Sequence, residues 1–228
     1  PDYNCCVSSA GGIEVICNKA VAAAGQLIST TGRYYFWQDD GSDIMCQCPQ
    51  CRVYSDTEKA LIIENHIVNA LRQNVNPNAQ LAHLAYQSTW SAPVKVTPAE
   101  GVFLEFAPFG RKYDKPLSNL SAQSSGRPTH GQYLTYLDAN LKAFGVPNAK
   151  ILEYWLDGSF HSNWTRPCVQ IPWDNSIFLD DLKTYTCREI TNITSYGGWI
   201  DAYYLNKYDT SPLKEYGQGL LSKCRTGS

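Results

Sequence analysis

Five β-prone runs alternating with helical segments constrain this chain more than any other feature of its sequence. The runs are predicted at 33–38, 80–86, 102–107, 150–156 and 192–196. Parallel strands need long crossover connections, whereas antiparallel neighbours can be joined by two-residue hairpins. The chain carries no Asn-Gly hairpin signal, so the expectation is an α/β fold with a parallel sheet. At 228 residues it is long enough for one sizeable core, and a single α/β domain over 1–228 is expected.

The helices between these runs are marked by composition and caps. An alanine-rich segment at 12–29 places Ile13, Ile16, Ala20 or Val21, Ala24 and Leu27 at helical spacing. Ser55-Asp-Thr-Glu58 is a capping box, in which hydroxyl and carboxylate reciprocally satisfy helix-start amides. It opens a helix to about Arg72, with Ala60, Ile63, Ile67 and Leu71 on one stripe. Further helices are predicted over 131–144, over 174–190 and in the C-terminal region.

A formal net charge of -2 with both signs interspersed supplies no basic face, which argues against a nucleic-acid partner. The apolar runs fall far short of about 18 residues, so no membrane span is expected. Nine cysteines, Cys5, Cys6, Cys17, Cys46, Cys48, Cys51, Cys168, Cys187 and Cys224, are many for a reducing compartment, and they predict a secreted, disulfide-stabilised protein. The chain opens on Pro1 with no charged-then-apolar leader before it, as expected for a processed N-terminus. Three sequons, at Asn119, Asn163 and Asn192, fit a glycoprotein on a secretory route.

The chemistry is expected where strands end. Loops at the carboxyl ends of parallel strands converge on one mouth, and the run Arg33–Gln38 stops at Asp39-Asp40-Gly41. In the run at 102–107, Glu105 is a single acid among five apolar residues, costly to bury without a role or a partner. In the run at 150–156, strand parity puts Glu153, Trp155 and Asp157 on one face. Two carboxyl groups at one mouth, one protonated and one ionised, suit acid–base or nucleophilic catalysis. Asp39 or Asp40 is therefore the candidate acid, and Glu105 or Glu153 the candidate base or nucleophile. Trp37, Tyr86, Trp90 and Trp155 would offer flat stacking surfaces for a ligand. Asp157 and His161 complete the candidate binding residues, His161 being the histidine best placed to face the mouth. His83, mid-strand, reads as a packed core histidine. Two structural readings compete with these assignments: Glu105 and Glu153 ion-paired inside the sheet with Arg33 or Arg111, and Asp39-Asp40-Gly41 serving as a turn.

Cys46, Cys48 and Cys51 could supply three zinc ligands, with His66 or another cysteine as the fourth. In an oxidising compartment disulfides are favoured over a metal, and no metal or cofactor is expected. An odd cysteine count leaves at least one thiol unpaired, joined to another chain, or holding something other than sulfur. The phosphate-loop, nucleophile-elbow and zincin motifs are all absent from the sequence.

The order of these motifs, Asp39-Asp40 after a strand, Cys-x-Cys-x-x-Cys at 46–51, LAYQSTWSAP, VFLEFAPFGRKYDKPL and ILEYWLDGSF, resembles a domain family of unknown function. That family is grouped with TIM-barrel glycoside hydrolases and is distantly akin to α-glucuronidases and hexosaminidases. The resemblance covers roughly residues 33–216. It implies that the chain holds the fourth to eighth β/α units, whereas a closed barrel has eight. It further implies a carbohydrate partner, with these carboxyl groups acting on a glycosidic bond and these rings stacking on sugar faces, and a homodimer or a partner fragment covering the exposed sheet. A non-catalytic, lectin-like or other ligand-binding protein on the same scaffold is the alternative.

Overall fold

A computed structural model describes residues 5–41 and 44–224, with the side chains of residues 223 and 224 outside the description. Five strands, β1 (Arg33–Tyr34), β2 (Gln80–Ala85), β3 (Val102–Phe106), β4 (Lys150–Glu153) and β5 (Asn192–Ser195), alternate with α1 (Ala10–Gly25), α2 (Asp56–Asn74), α3 (His130–Phe144), α4 (Gly158–His161), α5 (Asn175–Thr186), α6 (Ile200–Leu205) and α7 (Ser211–Cys224). The expected all-parallel α/β architecture is present. No helix among the described residues is long and apolar enough to cross a membrane.

The chain divides into two compact units. One comprises the residues up to Phe106 together with Tyr136–Ala149; the other comprises Ala107–Thr135 and the residues from Lys150 onward. In the first, β1, β2 and β3 are parallel neighbours, with Arg33 opposite Gln80, Leu81 opposite Val102 and Leu84 opposite Glu105. All five residues of β3 are buried, as a strand covered on both faces requires. The core of this unit joins Ala20 and Ala24 of α1, Leu61, Ile67, Val68 and Leu71 of α2, and Tyr34, Leu81 and Val102 of the sheet. At close to 25 cal/mol per Å2 of apolar surface, each fully buried leucine in that set contributes roughly 2 kcal/mol.

Helix α2 starts where the capping box placed it. The Ser55 hydroxyl accepts the Glu58 N–H and the Glu58 carboxylate accepts the Ser55 N–H. Glu58 also takes the backbone N–H groups of Val94 and Lys95, which ties the helix start to the loop between β2 and β3. These hydrogen bonds outweigh partial burial and hold its carboxyl below the usual range.

In the second unit β4 and β5 run parallel, with Ile151 opposite Ile193 and Glu153 opposite Ser195. Strand β4 ends at Glu153, short of the predicted Leu156. A turn closed by the Asp157 N–H on the Tyr154 carbonyl replaces the extended chain there. The alternation that placed Glu153, Trp155 and Asp157 on one face therefore does not hold beyond Glu153. Strand β1 is likewise shorter than predicted, leaving its aromatic run beyond Tyr34 outside the sheet ladder.

Candidate functional site

In the first unit, the carboxyl ends of β1 and β3 bring Trp37 and Glu105 together. Glu105 is fully buried, and its Oε2 accepts a hydrogen bond from the Trp37 Nε1–H at 2.9 Å. The Trp37 side chain is 46% exposed, so the same ring that anchors the acid also presents a face to solvent. Tyr35, also partly exposed, packs edge-on against Phe103 with ring centroids 5.9 Å apart. Asp39 and Asp40 follow at the surface, and the Gln87 side-chain amide donates to Asp40 Oδ1 at 3.1 Å. Tyr86 and Trp90 are half-buried on the loop after β2, and the Trp90 carbonyl accepts from Asn140. This end of the unit thus gathers one dry carboxylate, exposed carboxylates and aromatic faces, the residue types that bind and act on sugars.

Of the two expected ion-pair partners, Arg33 is occupied elsewhere: it donates to Gln80 and Asn148. Mid-strand His83 is fully buried, with Nδ1 2.6 Å from Glu64 Oε2 and its ring stacked on Phe144. That is the packed histidine expected from its position. A cleft of about 470 Å3 lies at the opposite, amino ends of β2 and β3, lined by Arg72, Gln80, Gly101, Phe103 and Asn148 among others. It contains none of the candidate acids, so the geometry around Glu105 is the better guide to chemistry.

The second unit uses its candidate acids internally. Glu153 is fully buried. It accepts from the Arg111 guanidinium at 3.0 Å and from the Tyr185 hydroxyl at 2.5 Å. The same guanidinium reaches Asp181, whose other oxygen accepts the Leu117 N–H. Desolvation raises the Glu153 carboxyl, and Arg111 draws it back down. Trp155 is buried and donates its indole N–H to Asp181, which takes it out of use as an open stacking surface. Asp157 caps α4 through the Ser159 N–H. The ion-paired reading therefore describes Glu153, with Arg111 as partner.

His161 lies on α4 with its ring edge-on to Tyr113, centroids 5.7 Å apart. Neither His161 Nε2 nor the Tyr113 hydroxyl has a protein partner. Burial lowers the imidazole pKa and pushes that of the phenol well up. Both groups are therefore held neutral, each able to exchange a hydrogen bond with a hydroxyl.

The expected disulfides are not confirmed among the described residues. The eight described cysteines other than Cys224 are free thiols, with none at bonding distance from another. The Cys224 side chain lies outside the described residues. Cys46, Cys48 and Cys51 converge on Cys6, and all four Sγ atoms lie within 4.8 Å of one another. Cys6, from the segment before α1, supplies the fourth member; His66 is exposed on α2 and takes no part. Hydrogen bonds from Ser8 and then Cys51 bring the Cys48 thiol down to about 6. The motif spacing flags three of these cysteines, whereas Cys6, 42 residues ahead of Cys48, carries no local signal. Of the sequons, Asn119 and Asn163 are exposed and Asn192 is half-buried in β5.

Comparison with protein-family models, with curated proteins and with solved structures found no match.

Proposed function

We propose that this chain is a secreted, glycoside-hydrolase-like protein that binds a glycan at the carboxyl ends of β1–β3, with Glu105 as the principal carboxylate. The observation that carries the reading is the Trp37–Glu105 pair, a fully buried acid hydrogen-bonded to the edge of an indole whose ring is open to solvent. An indole face packs against the apolar C–H face of a pyranose. A carboxylate held dry beside it binds sugar hydroxyls strongly, or serves as base or nucleophile against the anomeric centre. Asp39 and Asp40 supply the candidate acid on the same strand end. The exposed sequons support secretion, and the family resemblance supports the barrel-type scaffold.

The non-catalytic reading has an observation of its own. Glu153, the other strand-borne acid, is saturated by Arg111 and Tyr185, so the second unit offers no free carboxylate on β4. The two readings separate in one experiment. Purified protein is assayed for binding to a panel of oligosaccharides and for turnover of the bound ones, alongside Trp37→Ala and Glu105→Gln. Hydrolysis predicts that Glu105→Gln abolishes turnover while binding persists. Simple binding predicts no turnover in any form and a loss of tenfold or more in affinity for Trp37→Ala. If Trp37→Ala and Glu105→Gln both bind and turn over as the parent does, this end of the sheet is not the site.

A further inference from the structure

We propose that Cys6, Cys46, Cys48 and Cys51 form a structural tetrathiolate site for one zinc ion. The distances favour a shared ion over sulfur–sulfur bonds. Cys6 Sγ lies 3.7 Å from Cys48 Sγ and 3.6 Å from Cys51 Sγ. A tetrahedron with zinc–sulfur bonds of about 2.3 Å has edges of about 3.8 Å, whereas a disulfide brings one pair to about 2.05 Å and excludes the others. A sulfur nearly equidistant from two others, with a fourth inside 4.8 Å, has the symmetry of coordination rather than of pairing. The cluster is also too tight to enclose several irons, because a multinuclear cluster spreads its cysteines wider.

The surroundings match what a thiolate site needs. Backbone N–H groups of Ser8, Cys48 and Cys51 are directed at the sulfurs of Cys6, Cys46 and Cys48, and such donors offset negative charge on ligating sulfur. The Cys48–Cys51 segment is folded into a tight turn, with the Cys51 and Arg52 N–H groups both on the Cys48 carbonyl. Val7, Tyr54, Ile62 and Ile63 pack around the group and limit access of water. Four protein ligands close the coordination sphere, so the ion is structural rather than catalytic. It clips the segment before α1 to the loop that follows Asp39-Asp40-Gly41.

The test is metal analysis of the full chain, purified without chelator, by elemental mass spectrometry with parallel thiol counting. The expected result is one zinc per chain that survives dialysis and is released when an organomercurial titrates the thiolates. Replacing it with cobalt(II) should give the thiolate charge-transfer and ligand-field bands of a tetrahedral four-sulfur site. Cys6→Ser and Cys48→Ser should each lose tightly held metal, while Cys17→Ser keeps one equivalent. If the ligand variants fail to fold, the metal content and cobalt spectrum of the parent chain still decide. A metal-free parent with bridges mapped among these four cysteines would overturn the proposal. So would a parent whose single metal is iron, or zinc retained in full by a folded Cys6→Ser variant.

Discussion

Arg111 shows how a single residue decides the fate of its neighbours. It is fully buried between Glu153 and Asp181, stacks over Tyr113 at 4.4 Å, and is held protonated by the two carboxylates despite its burial. Removing one member of such a network leaves buried charge uncompensated, so Arg111→Met should cost about 3–5 kcal/mol, read from chemical denaturation. A loss under about 1 kcal/mol would mean that the two acids are neutral in the fold. His130 contributes to the pH response. Its Nδ1 faces the Pro116 carbonyl at 2.9 Å while its Nε2 accepts the Lys112 N–H at 3.2 Å. Only a neutral ring protonated on Nδ1 can do both. Burial lowers the pKa of His130, and of His161, below the ordinary 6.5. The unfolded chain therefore takes up these protons first, and the stabilisation, complete above the ordinary histidine value, is lost as pH falls through it toward the folded values. Glu153, raised by burial, tilts the curve the other way, so the histidine part is the difference between the parent and a His130→Gln/His161→Gln double variant. Denaturation at pH values from about 8 to 5 should show a shallower acid loss in the double variant; equal slopes would contradict the assignment. At this scale the sequence was legible where a residue is anomalous in its own run, as Glu105 is among apolar neighbours. It was not legible where partners arrive from afar. Tyr185 reaches Glu153 and Asp181 reaches its partner Arg111 from α5, and Cys6 reaches the 46–51 loop from the segment before α1, with no periodicity linking them.

Elements were legible where local chemistry sets their ends. The capping box at Ser55 fixes the start of α2, and Asp174 caps α5 by accepting the Ser176 and Ile177 N–H groups. Strand ends were less legible, because β propensity continues past the point where the ladder stops. β1 keeps only Arg33 and Tyr34 in register with β2, and the aromatic residues beyond them leave the ladder, with Trp37 donating to Glu105 instead. β4 stops at Glu153 because the backbone turns back at Tyr154 to bring Asp157 to the head of α4. Glu58 shows what a cap adds beyond its own helix. It accepts the Ser55 N–H at 2.9 Å and the backbone N–H groups of Val94 and Lys95, so it holds a loop as well as a helix end. Ser55→Ala should cost about 1 kcal/mol, the usual value of a lost N-cap. Glu58→Ala leaves three backbone donors without their carboxylate and should cost about 2–3 kcal/mol, since hydrogen bonds to a charged group are the stronger kind. Equal costs for the two variants, measured by urea titration, would show that the 94–95 loop finds other acceptors.

For the whole molecule, the fold class was legible because five alternations of strand and helix leave a parallel sheet as the economical solution. The number of copies was not legible, since nothing in strand or helix periodicity encodes what lies beyond the chain. Strand count nevertheless bears on it. A closed barrel pairs eight strands and has no edge; the described residues supply five. Within the units, β1 offers two residues to its ladder and β5 offers four, short edges of the kind that limit open-ended pairing. Helix α1 adds apolar surface, with Val15 59% exposed, and Leu27 and Ile28 exposed just beyond its end. A homodimer, the partner proposed for this chain, would cover the exposed apolar side chains of α1 and its end. Light scattering coupled to gel filtration should therefore give about twice the chain mass of 25.5 kDa. Val15→Lys, at an exposed position outside the core, should shift the population toward monomer if α1 contributes the covering surface. A parent that remains monomeric at high concentration would mean that five strands stand alone, and the barrel-type reading would then give way to an open α/β sheet.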